Sequence, residues 1–135
     1  MMTMGCLAMV LDTSALAAIL FGETKSSDFL EALASPQRLF MSALTKLELS
    51  IVVEARKGQA GTQALAELLA EAGVETVAFD SGQAELAFDA WRRYGKGRHP
   101  AGLNLGDCAA YALARQLDQK LLYKGNDFSQ TDVAR

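Results

Sequence analysis

The chain has 135 residues, of which 50% are hydrophobic and 21% charged, and its 13 basic and 16 acidic side chains give a net charge of −3. A chain of this length can bury about two-thirds of its surface in one domain, and this composition excludes a disordered chain. The longest strongly apolar stretch, residues 14–21, falls well short of the ~20 residues that cross a bilayer, so we expect no membrane-spanning segment.

The distribution of charged residues and the spacing of the two cysteines indicate which binding partners and which cellular compartment to expect. Residues 1–91 carry 5 basic and 12 acidic side chains (net −7), whereas residues 92–135 carry 8 basic and 4 acidic ones (net +4). An acidic total therefore does not exclude an anionic partner such as nucleic acid. Cys6 and Cys108 have neither metal-ligand spacing nor the pattern of a secreted disulfide framework, which predicts free thiols and a cytoplasmic protein.

Short apolar runs alternate with helical patterns along the chain, which we predict to form a single domain over 9–135 after an N-terminal extension, residues 1–8. The predicted strands cover 7–11, 38–41, 74–79 and 120–123, and the predicted helices cover 15–21, 26–34, 43–57, 60–72, 81–94 and 105–118. Strands separated by helices imply right-handed crossovers and an α/β fold with a mainly parallel sheet covered on both faces. Functional sites in such sheets lie beyond the carboxyl ends of the strands.

Three aspartates occupy that edge of the predicted sheet. Asp12 follows the first strand, Asp107 lies in the first turn of the last helix, and Asp127 follows the fourth strand. Each position also has a purely structural explanation. Asp12 can cap a helix, Asp107 can form a capping box with Asn104, and Asp127 lies in ordinary turn sequence.

A fourth acid, Glu48, falls within an apolar stripe of the helix predicted over 43–57. The stripe consists of Leu44, Leu47, Ile51, Val52 and Ala55. We interpret this stripe as the inward face, where an ionised carboxylate costs several kcal/mol unless it is paired, protonated or bound to a cation. The alternative is a glutamate at the edge of a broad apolar face, with its carboxylate turned out to solvent.

Four carboxylates from distant segments can converge on one site only if something offsets their repulsion, and a bound cation does so. Oxygen ligands without a His or Cys cluster suit Mg²⁺, with Mn²⁺ as a substitute, rather than zinc. A divalent ion held with open positions activates water and clamps a phosphodiester. The predicted chemistry is therefore phosphodiester hydrolysis.

At these residues the sequence resembles the PIN-domain ribonucleases, in particular the VapC-type toxins of VapBC toxin–antitoxin systems. The resemblance covers nearly the whole chain from Met9 onward, in four pieces that keep the family's order and separations. The matching pieces are 10–16 (VLDTSAL), 42–48 (SALTKLE), 103–112 (LNLGDCAAYA) and 121–128 (LLYKGNDF).

The resemblance implies a three-layer α/β/α sandwich and Mg²⁺-dependent cleavage of RNA, with tRNA or another structured RNA as substrate. It also implies a homodimer that forms a larger assembly with a cognate VapB-type antitoxin, which inhibits it. The family's principal metal ligands match Asp12 and Asp107, its inward helical acid matches Glu48, and its fourth acidic segment contains Asp127. Many members carry that last acid at the place held here by Gly125. The family's site-lining hydroxyls match Thr13 and Ser14.

A basic and aromatic segment, 91–99 (WRRYGKGRH), precedes the Asp107 motif. Cations strengthen binding to phosphates, and aromatic rings stack on unpaired bases. The segment therefore suggests RNA binding, with Trp91 and Tyr94 as stacking surfaces. The candidate RNA-binding cations are Arg92, Arg93, Lys96 and Arg98. The alternative is a solvated helix end with Trp91 buried.

Two other classes of function remain open at this point. A phospho-acceptor receiver domain is also a small α/β fold with acids at strand ends, and Asp80 after the third strand could be its acceptor. That fold needs a pair of acids after the first strand, where Asp12 stands singly. The second class is a scaffold that binds RNA without cleaving it. A triad enzyme is improbable because His99 lacks a recognisable nucleophile.

Overall fold

The computed structural model describes residues 7–133, and the strands in this part of the chain form a single parallel sheet. The sheet order is β3-β2-β1-β4, and all three strand pairings are parallel. The strands are β1 (Ala8–Leu11), β2 (Arg38–Ser42), β3 (Val74–Val77) and β4 (Lys120–Leu122). Their carboxyl ends therefore share one edge, as the predicted α/β class requires.

Helices connect the strands close to the predicted boundaries. They are α1 (Thr13–Leu20), α2 (Ser26–Ala34), α3 (Ala43–Ala72), α4 (Ser81–Tyr94) and α5 (Leu105–Leu117). A 3₁₀ turn, Phe128–Gln130, follows β4 and was not predicted. Within the described residues, no helix is long and apolar enough to cross a bilayer.

The helix α3 consists of two helices separated at Gly58, as the sequence predicted. Gly58 has φ 65° and ψ −158°, a backbone conformation that only glycine adopts readily. The two halves fold back on each other, and their buried residues share one core: Leu49 and Val53 from the first half, Leu65 and Leu69 from the second. The two halves therefore form a helical hairpin.

The sheet separates two hydrophobic cores because successive strand residues point to opposite faces. Val10, Phe40 and Leu121 pack with residues of α4 and α5 on one face. Met9, Leu11, Leu39 and Met41 pack with residues of α1, α2 and α3 on the other face. The result is the predicted three-layer α/β/α sandwich.

The inward face of α3 differs from the predicted one. Leu47 and Ile51 are 55% and 60% exposed, Ala55 is exposed, and Leu44 and Val52 are only half-buried. The fully buried residues are instead Thr45, Leu49 and Val53. The prediction was wrong because helical spacing gives two apolar stripes here, and only packing against the sheet selects one. Glu48 consequently lies between a buried face and an exposed apolar one.

Two predictions concern residues that the structure does not fully describe. Most of the predicted N-terminal extension and Cys6 lie outside the described residues, so the domain start at residue 9 stays a prediction. Cys108 is a free, buried thiol. Burial, together with the charge of Asp107, raises its pKa to about 11, so Cys108 is an unreactive core residue.

Candidate active site

Asp12 lies at the junction between the sheet and α1. Its backbone N–H donates to Leu122 O at 3.0 Å, and its Oδ2 accepts hydrogen bonds from Ser14 N at 3.0 Å and Ser14 Oγ at 2.6 Å. The side chain is only 3% exposed. Burial raises its pKa to about 6 against the opposing effect of the Ser14 hydrogen bonds, and the charge of Glu48 raises it further. Asp12 therefore caps α1 and also lies at the predicted site.

Ser14 connects Asp12 to the segment that follows β4. While its Oγ donates to Asp12, the same oxygen accepts a hydrogen bond from Lys124 N at 2.8 Å. Lys124 also forms a 2.8 Å ion pair with Glu23 through its Nζ. The start of the segment that carries Asp127 is thereby fixed beside Asp12, which gives the predicted site-lining serine a definite structural role.

Glu48 reaches this edge from α3. Its Oε1 accepts a hydrogen bond of 2.6 Å from Thr13 Oγ1. The predicted site hydroxyl of Thr13 therefore holds the carboxylate of Glu48. Its carboxylate also lies directly against Gly106 of α5. A Cβ at Gly106 would be 2.5 Å from Glu48 Cδ and closer still to both oxygens. Sequence reasoning did not identify Gly106 as a site residue, although it immediately precedes Asp107 in the matching motif.

Asp107 lies in the first turn of α5, inside a complete capping box. Its Oδ2 accepts from Asn104 N at 3.0 Å, and its own N–H donates to Asn104 Oδ1 at 2.9 Å. Burial raises the pKa of Asp107 to about 7, and the charges of Asp12, Asp127 and Glu48 add to the increase. All three other predicted site acids therefore act on this one carboxylate.

Asp127 contributes least to the geometry. It is exposed at the start of the 3₁₀ turn, and its connection to the site is the charge that it exerts on Asp107. Gly125, which occupies the place where many family members carry an acid, has φ 99°. An aspartate there would be strained, because L side chains rarely adopt this conformation. The local backbone thus accounts for the glycine in this chain.

The carboxylate oxygens of these acids are suitable ligands for a divalent cation, but the acids are not arranged around a common point. Among residues 7–133, no three His, Cys, Asp or Glu side chains come together closely enough to hold a metal ion. Each of three acids is instead drawn to a neighbouring donor: Asp12 to Ser14, Glu48 to Thr13, and Asp107 to Asn104. Carboxylate oxygens fit a hard cation, which would relieve the repulsion that contributes to the raised pKa values of Asp12 and Asp107. Sharing one ion requires these side chains to turn from their present donors.

The predicted RNA-binding cations fall into different environments. Arg93 is engaged internally, since it donates to the hydroxyls of Tyr94 and Tyr111 and forms a 3.2 Å ion pair with Asp132. Arg92 and Arg98 instead lie over aromatic rings at the surface. Lys96 is exposed in the loop after α4. The structure thus gives Arg93 a role in holding the C-terminal segment.

The residues behind the competing interpretations have structural roles. Asp80 accepts a hydrogen bond from Gln83 N at 2.9 Å and caps α4, as expected if it is not a phospho-acceptor. His99 Nδ1 accepts from Ala101 N at 3.0 Å, and its ring meets Tyr94 edge-on. Both therefore belong to local structure.

We expect Gly106→Ala to lower activity more than stability. The added methyl group would meet the end of the Glu48 side chain, which can move away at the expense of its Thr13 hydrogen bond. Helix propensity favours alanine over glycine, so thermal unfolding should change by only a few degrees, whereas RNA cleavage should fall by about tenfold or more. Gly82→Ala is the matched control, because a Cβ there has no contact closer than 3.6 Å. Equal cleavage by both variants would contradict the role of the Gly106 contact.

Comparisons with known proteins identify the family of this chain. The PIN domain family matches residues 9–134. Ribonuclease VapC30 of Mycobacterium tuberculosis is 47% identical over 126 residues, which cover 93% of this chain and 96% of that protein. Ribonuclease VapC of Mycolicibacterium smegmatis is 50% identical over 126 residues, covering 93% and 98% respectively.

Solved structures extend the agreement to the fold. M. tuberculosis VapC20, described as a sarcin-ricin loop cleaving toxin, superposes with a TM-score of 0.77 at 19% identity, covering 93% of this chain and 96% of that one. VapBC2 from Rickettsia felis, bound to a promoter DNA fragment, gives a TM-score of 0.70 at 16% identity and covers 92% of each chain. Since the family matches nearly the whole length and curated relatives share close to half of the aligned residues, the chain belongs to the PIN-domain family, within its VapC branch.

Proposed function

We propose that this protein is the toxin of a VapBC-type system and acts as a Mg²⁺-dependent endoribonuclease. The observation that carries the proposal is the placement of four acids from separate segments, Asp12, Glu48, Asp107 and Asp127, along the carboxyl edge of the sheet. There the charges of Asp12, Glu48 and Asp127 all raise the pKa of Asp107. The ribonuclease names of relatives at 47–50% identity support the same activity.

The surroundings of each acid indicate which role it has in the proposed reaction. Asp12 and Asp107 would hold the cation, since Asp12 is buried and Asp107 half-buried at the sheet edge, and burial raises the pKa of each. When bound, Mg²⁺ would supply an activated water and offset the charge of the scissile phosphate. Glu48, which Thr13 orients, would accept a hydrogen bond from that water. Asp127 completes the acidic edge from the side of β4.

The substrate is structured RNA, with tRNA as the first candidate. The solved structure VapC20 is described as a sarcin-ricin loop cleaving toxin, so that RNA loop is the second candidate. Purified protein incubated with total RNA is expected to produce discrete new 5′ ends in Mg²⁺ and none in EDTA. Mapping those ends identifies the target. Equal fragments with and without EDTA would contradict metal dependence, and intact RNA in Mg²⁺ would leave a binding scaffold as the better description.

The antitoxin and the homodimer are further parts of this proposal. Solved relatives include toxin–antitoxin complexes from Klebsiella pneumoniae and Haemophilus influenzae. In this chain, Leu47, Ile51 and Leu105 form an exposed apolar rim next to Glu48 and Asp107. We assign this rim to the homodimer, because solvent-exposed leucine and isoleucine grouped beside a site mark an interface.

We expect Ile51→Glu to convert the dimer to a monomer in sedimentation velocity at micromolar concentration. A carboxylate at this 60% exposed position would be buried unpaired against the second copy, while the isolated chain would tolerate it. Ala66→Glu, on the exposed side of the second half of α3, is the control. A dimer that survives Ile51→Glu would place the interface elsewhere.

A further inference from the structure

An aromatic and basic surface lies on α4, outside the acidic site. We call it the α4 platform and define it by Phe88, Trp91, Arg92 and Arg98. Phe88 is 52% exposed and Trp91 38% exposed, although both are large apolar side chains. Their rings are nearly parallel, with an interplanar angle of 9° and centroids 6.2 Å apart. The alternative of a buried Trp91 is therefore wrong.

Each ring of the α4 platform carries a guanidinium group. Arg92 Cζ lies 4.3 Å from the centroid of Phe88, and Arg98 Cζ lies 4.8 Å from that of Trp91. Arg98 is held there because its Nε donates to Arg92 O at 3.1 Å. Among residues 7–133, neither arginine forms an ion pair with a carboxylate. Their charges therefore remain available to an anionic ligand.

The indole of Trp91 is fixed in place from the loop side. Gly95 packs so closely on Trp91 that a Cβ there would be 2.7 Å from Nε1 and would collide with Cδ1. A stacking surface that is already ordered loses little entropy when it binds a ligand. The fixed indole is therefore better suited to binding than a freely rotating exposed ring would be.

The position and charge of the α4 platform indicate its occupant. Leu103 N donates to Tyr94 O and Lys96 N donates to Leu103 O, each at 2.9 Å, so the end of α4 lies beside the start of α5, which carries Asp107. Between Asp89 and Asp107 the sequence contains four cations and no carboxylate. A polyanion that enters the acidic site therefore meets a run of positive charge in the segment that leads into α5.

We propose that the α4 platform binds an unpaired segment of the RNA substrate, with bases stacked on Trp91 and Phe88 and phosphates held by Arg92 and Arg98. The inference rests on the proposed ribonuclease function and adds a contact outside the acidic site. The arginines cover one face of each ring, so the bases would stack on the ring surface that stays exposed, while the phosphates would bind the guanidinium groups that no carboxylate pairs. An acidic protein segment would use the charges but gains less from parallel, flat ring faces.

Trp91 is the single tryptophan of the chain, so its fluorescence reports on the α4 platform directly. In EDTA, where cleavage cannot consume the probe, a 12-nucleotide unpaired RNA is expected to quench the emission of the full-length protein. The same sequence as a duplex should quench it much less. Trp91→Ala should weaken binding of the unpaired RNA, measured by anisotropy, by about tenfold, and Trp91→Phe should recover most of the loss.

The charged half of the α4 platform is tested by salt dependence. Arg92→Gln with Arg98→Gln should make the slope of log affinity against log salt shallower by about 1.4, since each lost phosphate contact removes about 0.7 for single strands. Arg56→Gln is the matched control, because its guanidinium also lies over a ring, that of Phe21 at 3.7 Å, but on the opposite face of the sheet. The control should leave both slope and affinity unchanged.

The outcomes separate this inference from the proposed function. One outcome is that the protein cleaves RNA, RNA does not change Trp91 emission, and Trp91→Ala binds RNA as tightly as the wild type. That outcome would overturn the α4 platform and keep the nuclease. Quenching by unpaired RNA in a protein that cleaves no RNA would keep the α4 platform and overturn the nuclease. Emission that changes with protein concentration alone, and not with RNA, would show that a second copy covers this surface and would overturn the inference.

Discussion

Replacing Asp107 with asparagine is expected to abolish RNA cleavage while leaving the fold intact. Asparagine retains an oxygen that can accept the Asn104 N–H bond, so the capping box and α5 should survive. It cannot supply the negative charge that holds a divalent cation. We expect cleavage to fall by about 10³-fold or more, the scale set by the loss of one preorganised electrostatic contact in other enzymes. The measurement is the rate of appearance of new RNA 5′ ends in Mg²⁺.

The same chemical change at the other end of α5 is the control. Asp118 ends the helix at φ 53° and ψ 50°, a left-handed conformation that asparagine adopts well. Asp118→Asn should therefore fold normally and cleave RNA at the wild-type rate. Wild-type cleavage by Asp107→Asn would refute the assigned site. A loss of cleavage in both variants, with both folded, would mean that the effect does not come from the acidic edge.

Without a divalent cation, the protein is expected to become less stable as the pH rises from 5 to 8. The pKa values of Asp12 and Asp107 are raised to about 6 and about 7 in the folded protein, whereas both return to about 3.8 in the unfolded chain. Between these values the folded state binds more protons than the unfolded state, so raising the pH favours unfolding. The stabilisation is complete at low pH and is lost as the pH passes through 6 and 7. The midpoint of thermal unfolding in EDTA should fall by on the order of 5 °C.

Mg²⁺ and Asp107→Asn should each weaken this pH dependence. A cation binds the ionised carboxylates, so it should stabilise the wild type most at pH 8 and least at pH 5. Asp107→Asn lacks one of the two titrating groups and lessens the repulsion on Asp12, so its unfolding midpoint in EDTA should vary less with pH. Asp118→Asn should behave like the wild type. A wild-type pH dependence in Asp107→Asn would contradict the electrostatic coupling at this edge.

Much of the fold and two of the site acids could be predicted because their signals are local. A strand that stops at Asp12 and a capping sequence from Asn104 to Asp107 are each read within a few residues. In both cases the capping interpretation is confirmed, and it is compatible with the proposed site, since the helix ends that need a cap also lie at the carboxyl edge of a parallel sheet.

Glu48 reaches the carboxyl edge of the sheet although the helix face predicted for it was wrong. The predicted inward stripe included Leu47 and Ile51, which are exposed, yet Glu48 accepts a hydrogen bond from Thr13 at that edge. It does so from the boundary of the buried face because Gly106 lets α5 come close to α3. No spacing within α3 contains that information, since the approach of two helices depends on residues far apart in the chain.

The sequence by itself determined the alternation of strands and helices, the helix break at Gly58 and the capping positions of Asp12 and Asp107, because backbone preference and capping act over a few residues. Only the tertiary structure decided which apolar stripe of α3 is buried, that Arg93 is tied to Asp132 while Arg92 and Arg98 remain on exposed rings, and that Phe88 belongs with Trp91. Those features depend on which surfaces neighbouring elements cover, and burial is a property of the packed chain rather than of any segment of it.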